Sequence, residues 1–223
     1  MSLTSIIFNT SIFSFSDKVL EYFGYKGRYY FNHFIANTAI SMSTLPEIYN
    51  IYRDFNNIHL IPRNYYAINM TFAIHLYHMI VYWNKLTFDD YLHHILMVGV
   101  SLPLSLYAPC GPMIGHSLFF LTGLPGGINY GLLFLQRNGI IPKYTQKRVN
   151  KWLNLWIRMP GCIFTTALGI VDLINRWDNN SIYRNMASVI IGITIFWNGI
   201  YFMEQVVSDY SIRYKKIEKN TNN

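Results

Sequence analysis

The histidines are the residues of this chain best suited to chemistry, and four of the seven fall in two close pairs. His75 and His78 stand three apart, a spacing that puts both side chains on one face of a helix. His93 and His94 adjoin, with Asp89 four residues before the first and Asp90 four before the second. Each carboxylate therefore lies one helical turn from an imidazole. A carboxylate that orients an imidazole makes a general base, so His93 and His94 are the candidate catalytic pair and Asp89 and Asp90 the candidate orienting groups. A lone histidine inside an apolar helix is more often a hydrogen-bonded packing residue; the pair with its two carboxylates is less ordinary. Clustered histidines also ligate metals, as in membrane di-iron enzymes. Those use repeated H-x-x-H-H boxes and no complete box is present, so no metal is expected.

A second pattern is longer. Asn150, Asn154, Arg158, Gly161, Thr165, Gly169 and Asp172 recur at spacings of three or four, which makes one stripe of polar and small residues along a helix. Trp152, Trp156, Met159 and Ile163 fall elsewhere on that helix. The stripe reads either as close helix packing through small residues or as the lining of a polar cavity. Arg158 weighs on the cavity side, because it needs a partner that glycine packing does not supply. His33, His75, His78, Asn154, Arg158 and Glu204 are the candidate cavity or lipid-binding residues. The segment from Gly123 to Tyr130 is rich in glycine, yet it has no following Lys-Ser/Thr and no preceding strand, so it is no phosphate loop. It is expected to break or unwind a helix at mid-membrane, where a cavity or neighbouring helices satisfy the backbone. The last apolar segment has no lysine for a retinal Schiff base.

The elements that must position these residues are membrane spans. Only 13% of the 223 residues are charged and 52% are hydrophobic, where soluble domains carry about 25% charged. Mean hydropathy is +0.17, held down by tyrosine and asparagine. A spanning helix needs about 20 mostly apolar residues. Six segments qualify, 29–51, 65–83, 91–109, 112–135, 152–175 and 183–207, and a seventh, 3–16, is apolar but short and rich in Ser and Thr. The seventh is a short span or an interfacial amphipathic helix. The expected organisation is an N-terminal segment over 1–28, one bundle over 29–207 and a basic cytosolic tail over 208–223. The fold class expected is all-α and integral to the membrane, with six or seven spans.

The net charge of +7 raises the question of nucleic acid, but the basic residues sit in short runs between apolar segments, as membrane-flanking loops do. With strict alternation, Lys18, Lys26, Arg28, Lys85, the basic loop 136–151 and the tail fall on one side. Arg53, Arg63, Arg176 and Arg184 fall on the other. The richer side is read as cytosolic, which makes the C-terminus cytosolic. An N-x-S sequon at Asn179 falls on the poorer side. Cys110 and Cys162 make neither a disulfide framework nor a zinc pattern. No basic stretch precedes the first apolar segment, so no cleaved signal peptide is expected.

Three stretches resemble the TLC-domain family, which groups translocating-chain-associating membrane proteins with the longevity-assurance ceramide synthases. Arg28-Tyr29-Tyr30-Phe31-Asn32-His33 looks like the family's basic-then-histidine span opening. Asp89-Asp90-Tyr91-Leu92-His93-His94-Ile95-Leu96 looks like its acidic-x-x-His-His-Ile helix start. Residues 112–160, with a Gly/Pro segment, a basic loop and an Asn-x-Trp-x-Arg helix, sit where the family has its next two spans. The likeness covers roughly 20–210. It implies a six-helix core around a lipid-accessible cavity, in a family that includes acyl-CoA-dependent N-acyltransferases and proteins of lipid transport and sensing. The synthases follow their His-His pair with His-Asp and a further Asp one helix later, where this chain has His116-Ser117 and no Asp. His78 stands near the place of the Asp of a Tyr-x-x-Asp feature common in the preceding span.

The function expected is therefore a multi-pass membrane protein that binds, senses or handles lipids, with no established catalytic activity. Its partners would be membrane lipids and not nucleic acid, and no cofactor is expected. Its location would be the endoplasmic reticulum or another endomembrane. The first alternative is a lipid N- or O-acyltransferase that uses acyl-CoA and His93 or His94. The second is a transporter or channel lined by the Asn150–Asp172 stripe.

Overall fold

Local chemistry sets where the helices start and turn. Ser2 caps α1 (Leu3–Tyr22), its hydroxyl accepting from the Ser5 amide. Gly24 and Gly27, at φ +73 and +69, turn the chain into α2 (Arg28–Arg53) within five residues. Asn64 caps α3 (Tyr65–Val81), and Thr87 with Asp90 closes a capping box at the start of α4 (88–107). Three long helices follow: α5 (Met113–Arg137), α6 (Lys143–Asn175) and α7 (Ile182–Arg213). The computed structural model describes residues 1–60, 62–109, 111 and 113–213. Cys110 and most of the basic tail lie outside them.

The described residues form helices and connections with no strand, so the all-α expectation holds. By length and composition three helices can cross a membrane: Met113–Arg137, Lys143–Asn175 and Ile182–Ile212. The segment expected over 3–16 is a full 20-residue helix. It runs beside α3 in the same direction: Ser2 meets Asn69, Thr10 the Ala73 carbonyl, and Asp17 the Tyr77 hydroxyl.

The seven helices alternate in direction, which gathers the same kinds of residue at each end. At one end Arg28 pairs with Asp17 and Glu21, and Lys147 pairs with Asp209. At the other end three arginines clamp the C-terminus of α4, whose last carbonyls have no intrahelical donors. Arg63 donates to Leu106 and Ala108, Arg184 to Tyr107, and Arg176 to Pro109 while it pairs with Asp172. Hydrogen bonds from a charged donor contribute about 1.5–3 kcal/mol each, so the charges at this end are structural ties.

Each wide, π-helical turn sits just ahead of a proline. In α4 the turn His94–Ser101 precedes Pro103, in α5 Phe119–Gly123 precedes Pro125, and in α6 Asn154–Arg158 precedes Pro160. Proline lacks an N–H and its ring crowds the carbonyl four residues earlier. A wider turn moves that carbonyl aside without ending the helix. This corrects the expectation that Gly123–Tyr130 unwinds: α5 continues as helix through it to Arg137. The glycines serve packing instead. Added Cβ atoms at Gly123, Gly127 and Gly131, spaced by four, would stand 3.0–3.2 Å from Ser41, Thr38 and Phe34 of α2. Small residues let the two backbones approach, as membrane helices do.

The burial pattern differs from that of a soluble protein. Asn32, Asn37, Thr44, His116, Asn185 and Asn198 are almost fully buried beside an apolar core that includes Ile40, Ile68 and Ile74, while Phe8, Phe15, Tyr22 and Met42 are exposed. Water would make that surface costly, whereas hydrocarbon solvates it.

Candidate functional site

A cavity of about 600 Å³ runs inside the bundle, within the range of ligand-binding pockets. The α6 stripe forms one wall, with Asn150, Asn154, Arg158, Thr165, Gly169 and Asp172 all lining it. From Asn154 to Asp172 that wall is about 27 Å long at 1.5 Å per residue. Gly161 is the exception, since a Cβ there would overlap the Phe120 ring of α5. The stripe is thus both cavity lining and helix packing. Along the middle the walls are mostly apolar, with Met97, Val98 and Leu102 from α4 and Ile114, Leu118 and Leu121 from α5, interrupted by the hydroxyls of Ser101, Ser105 and Ser117.

Five histidines gather at the end where α2, α4 and α6 begin. Ring centroids are 5.5 Å apart for His33 and His78, 5.1 Å for His78 and His94, 5.3 Å for His75 and His94, and 5.6 Å for His75 and His93. His33, His75 and His93 line the cavity; His78 and His94 stand behind them. The His33 and His75 Nδ1 atoms lie 3.2 and 2.7 Å from the carbonyls of Tyr29 and Thr71. A carbonyl only accepts, so those Nδ1 atoms carry the proton and the Nε2 atoms are left as acceptors. The Tyr29 and Tyr130 hydroxyls, 3.2 Å apart, close this end, with the Tyr130 ring 4.7 Å from His33.

Arg158 is the cation of the site. Its Nη2 donates to Asn198 Oδ1 at 2.8 Å and its guanidinium lies 4.8 Å from the Phe202 ring. Nε is buried with no partner, and no carboxylate pairs with the guanidinium among the described residues. One amide bond and one aromatic face offset only part of the several kcal/mol that burying an ion costs. Asn198 also faces His93, Nδ2 to Nδ1 at 3.5 Å, and so ties the cation to the imidazole cluster.

Of the residues singled out in the sequence, the fold brings together His33, His75, His78, His93, His94, Asn154 and Arg158. It does not bring in the carboxylates. Asp89 accepts from the Tyr201 hydroxyl at 2.8 Å, and Asp90 is spent on the backbone amide and hydroxyl of Thr87. Neither orients an imidazole, because the start of α4 needs a cap more than the histidines one turn on need an acceptor. Glu204 is exposed on α7 and does not line this cavity. Tyr130 and Asn198 were not anticipated. Asn198 carried a signal: a lone amide within the apolar run 189–200 must face protein or cavity.

No family model, curated protein or solved structure matches this chain. The site is therefore read from its own geometry. A second polar centre lies toward the opposite end: buried His116 lies 2.9 Å from the Tyr52 hydroxyl and 2.6 Å from Thr165 Oγ1. Thr165 gives its own proton to the Gly161 carbonyl, so His116 Nδ1 donates to it and Nε2 accepts from Tyr52. Every ring nitrogen is used, which makes His116 a packing residue.

Proposed function

We propose that this chain is a multi-pass bundle of the TLC type that holds a lipid chain in its central cavity. The observation that carries the reading is the cavity itself: it is long, mostly apolar along its middle, and polar at the histidine end, while the Asp172–Arg176 pair closes the far end on itself. Hydrocarbon gains about 0.8 kcal/mol for each methylene removed from water, and a head group at the polar end fixes the orientation. The test is mass spectrometry of extracts from the protein purified in mild detergent. A defined lipid class bound in stoichiometric amount is the expected result; a chain recovered with no specific lipid would remove the reading.

In this proposal all seven helices cross the bilayer, and the basic, histidine-bearing end with the C-terminus faces the cytosol. The N-terminus then lies on the opposite side. Lys143→Cys and Asn179→Cys, both at exposed positions, place a thiol at each end. A membrane-impermeant maleimide should label them from opposite faces of sealed microsomes. Labelling of both from one face would contradict the topology.

The acyltransferase reading is supported by one observation, that His93 faces the cavity whereas His94 does not. If acyl-CoA is the donor, His93→Ala removes turnover of acyl-CoA and a lipid amine or alcohol, and His94→Ala leaves most of it. The pore reading has less support, since Asp172 is held by Arg176 at the far end of the stripe.

A further inference from the structure

We infer that the cavity's ligand is a single-chain lipid carrying a carboxylate, with Arg158 as the counter-ion of its head group. This rests on the lipid reading above and narrows it. A neutral lipid would leave the guanidinium uncompensated beside the apolar stretch of Leu102, Leu118 and Leu121, which is the costly arrangement. Among the described residues no carboxylate pairs with it: Asn198 and Phe202 are neutral, His93 and Tyr130 carry no carboxylate, and Asp89 and Asp90 keep their charge but hydrogen-bond Tyr201 and Thr87.

The guanidinium also lies at the correct end of the space. It occupies the first turns of the α6 wall, so a chain anchored there extends along the apolar stretch toward Thr165 and Gly169. The planar guanidinium still has its Nε donor unspent, and a carboxylate is the anion whose geometry matches such a fork. A cavity of about 600 Å³ has room for one long hydrocarbon chain but not for the two of a phospholipid.

The experiment compares palmitate, hexadecanol and palmitoyl lysophosphatidic acid, each titrated into the full chain in nonionic detergent, above the pH at which palmitate ionises. Wild type should bind palmitate at least about tenfold more tightly than the alcohol of the same chain. Arg158→Gln should bind the two alike, and Arg158→Lys should restore the preference in part. Equal binding of acid and alcohol by wild type would overturn the counter-ion assignment while leaving the lipid reading in place. A preference for the lysophosphatidic acid over palmitate would overturn the carboxylate. If none of the three binds, both this inference and the lipid reading fall.

Discussion

Gly169→Phe should empty the cavity of lipid without unfolding the bundle. Gly169 lines the cavity from α6, and a Cβ built on it meets nothing within 4 Å. The position is helical, so replacing glycine by phenylalanine recovers about 0.5 kcal/mol of helix propensity. A phenyl ring there projects into the space that a hydrocarbon chain would occupy. We expect co-purified lipid to fall about tenfold or more, equivalent to 1.4 kcal/mol, with the melting temperature unchanged or raised. Gly169→Ala is the control: it leaves room beside it and should keep its lipid. Undiminished lipid in the phenylalanine variant would mean that the lipid sits on the outside of the bundle.

Gly161→Ala should have the opposite signature, with loss of stability as the primary effect. A single methyl at Gly161 overlaps the Phe120 ring and stands 2.7 Å from its Cβ. That ring cannot swing aside freely, because it packs on Phe119 and His116, both with centroids 5.0 Å away. The neighbouring His116–Thr165 hydrogen bond would be disturbed with it. Overpacking of this kind costs about 1–3 kcal/mol, which thermal unfolding in detergent would read as a clear fall in melting temperature. A variant as stable as the wild type would show that α5 and α6 are less closely apposed than the structure has them. The two glycines are eight residues apart on one helix face, yet only the fold tells which is packed and which is open.

Much of this was legible in the chain. Helix is the sole fate for apolar segments of this length, because hydrocarbon leaves no other partner for backbone groups. The period of the α6 stripe identified its inward face, since a 3.6-residue repeat fixes which side chains align whatever the neighbours are. The positions of His75 and His78, and of His93 and His94, within their apolar segments likewise put each pair near one end of its helix.

Other features depended on groups brought together from far along the chain. That His33 joins the other four histidines required α2 to pack beside α3, a relation no local spacing encodes. Asp89 and Asp90 carried the right interval to His93 and His94, but tertiary and capping partners claimed both carboxylates first. Gly123–Tyr130 read as a helix break from its composition; packing on α2 and a widened turn ahead of Pro125 keep it helical. Sequence periodicity determined which residues face inward. Only the tertiary structure decided which of them meet, because competition among partners for each hydrogen bond and each cubic ångström is settled between helices and not within them.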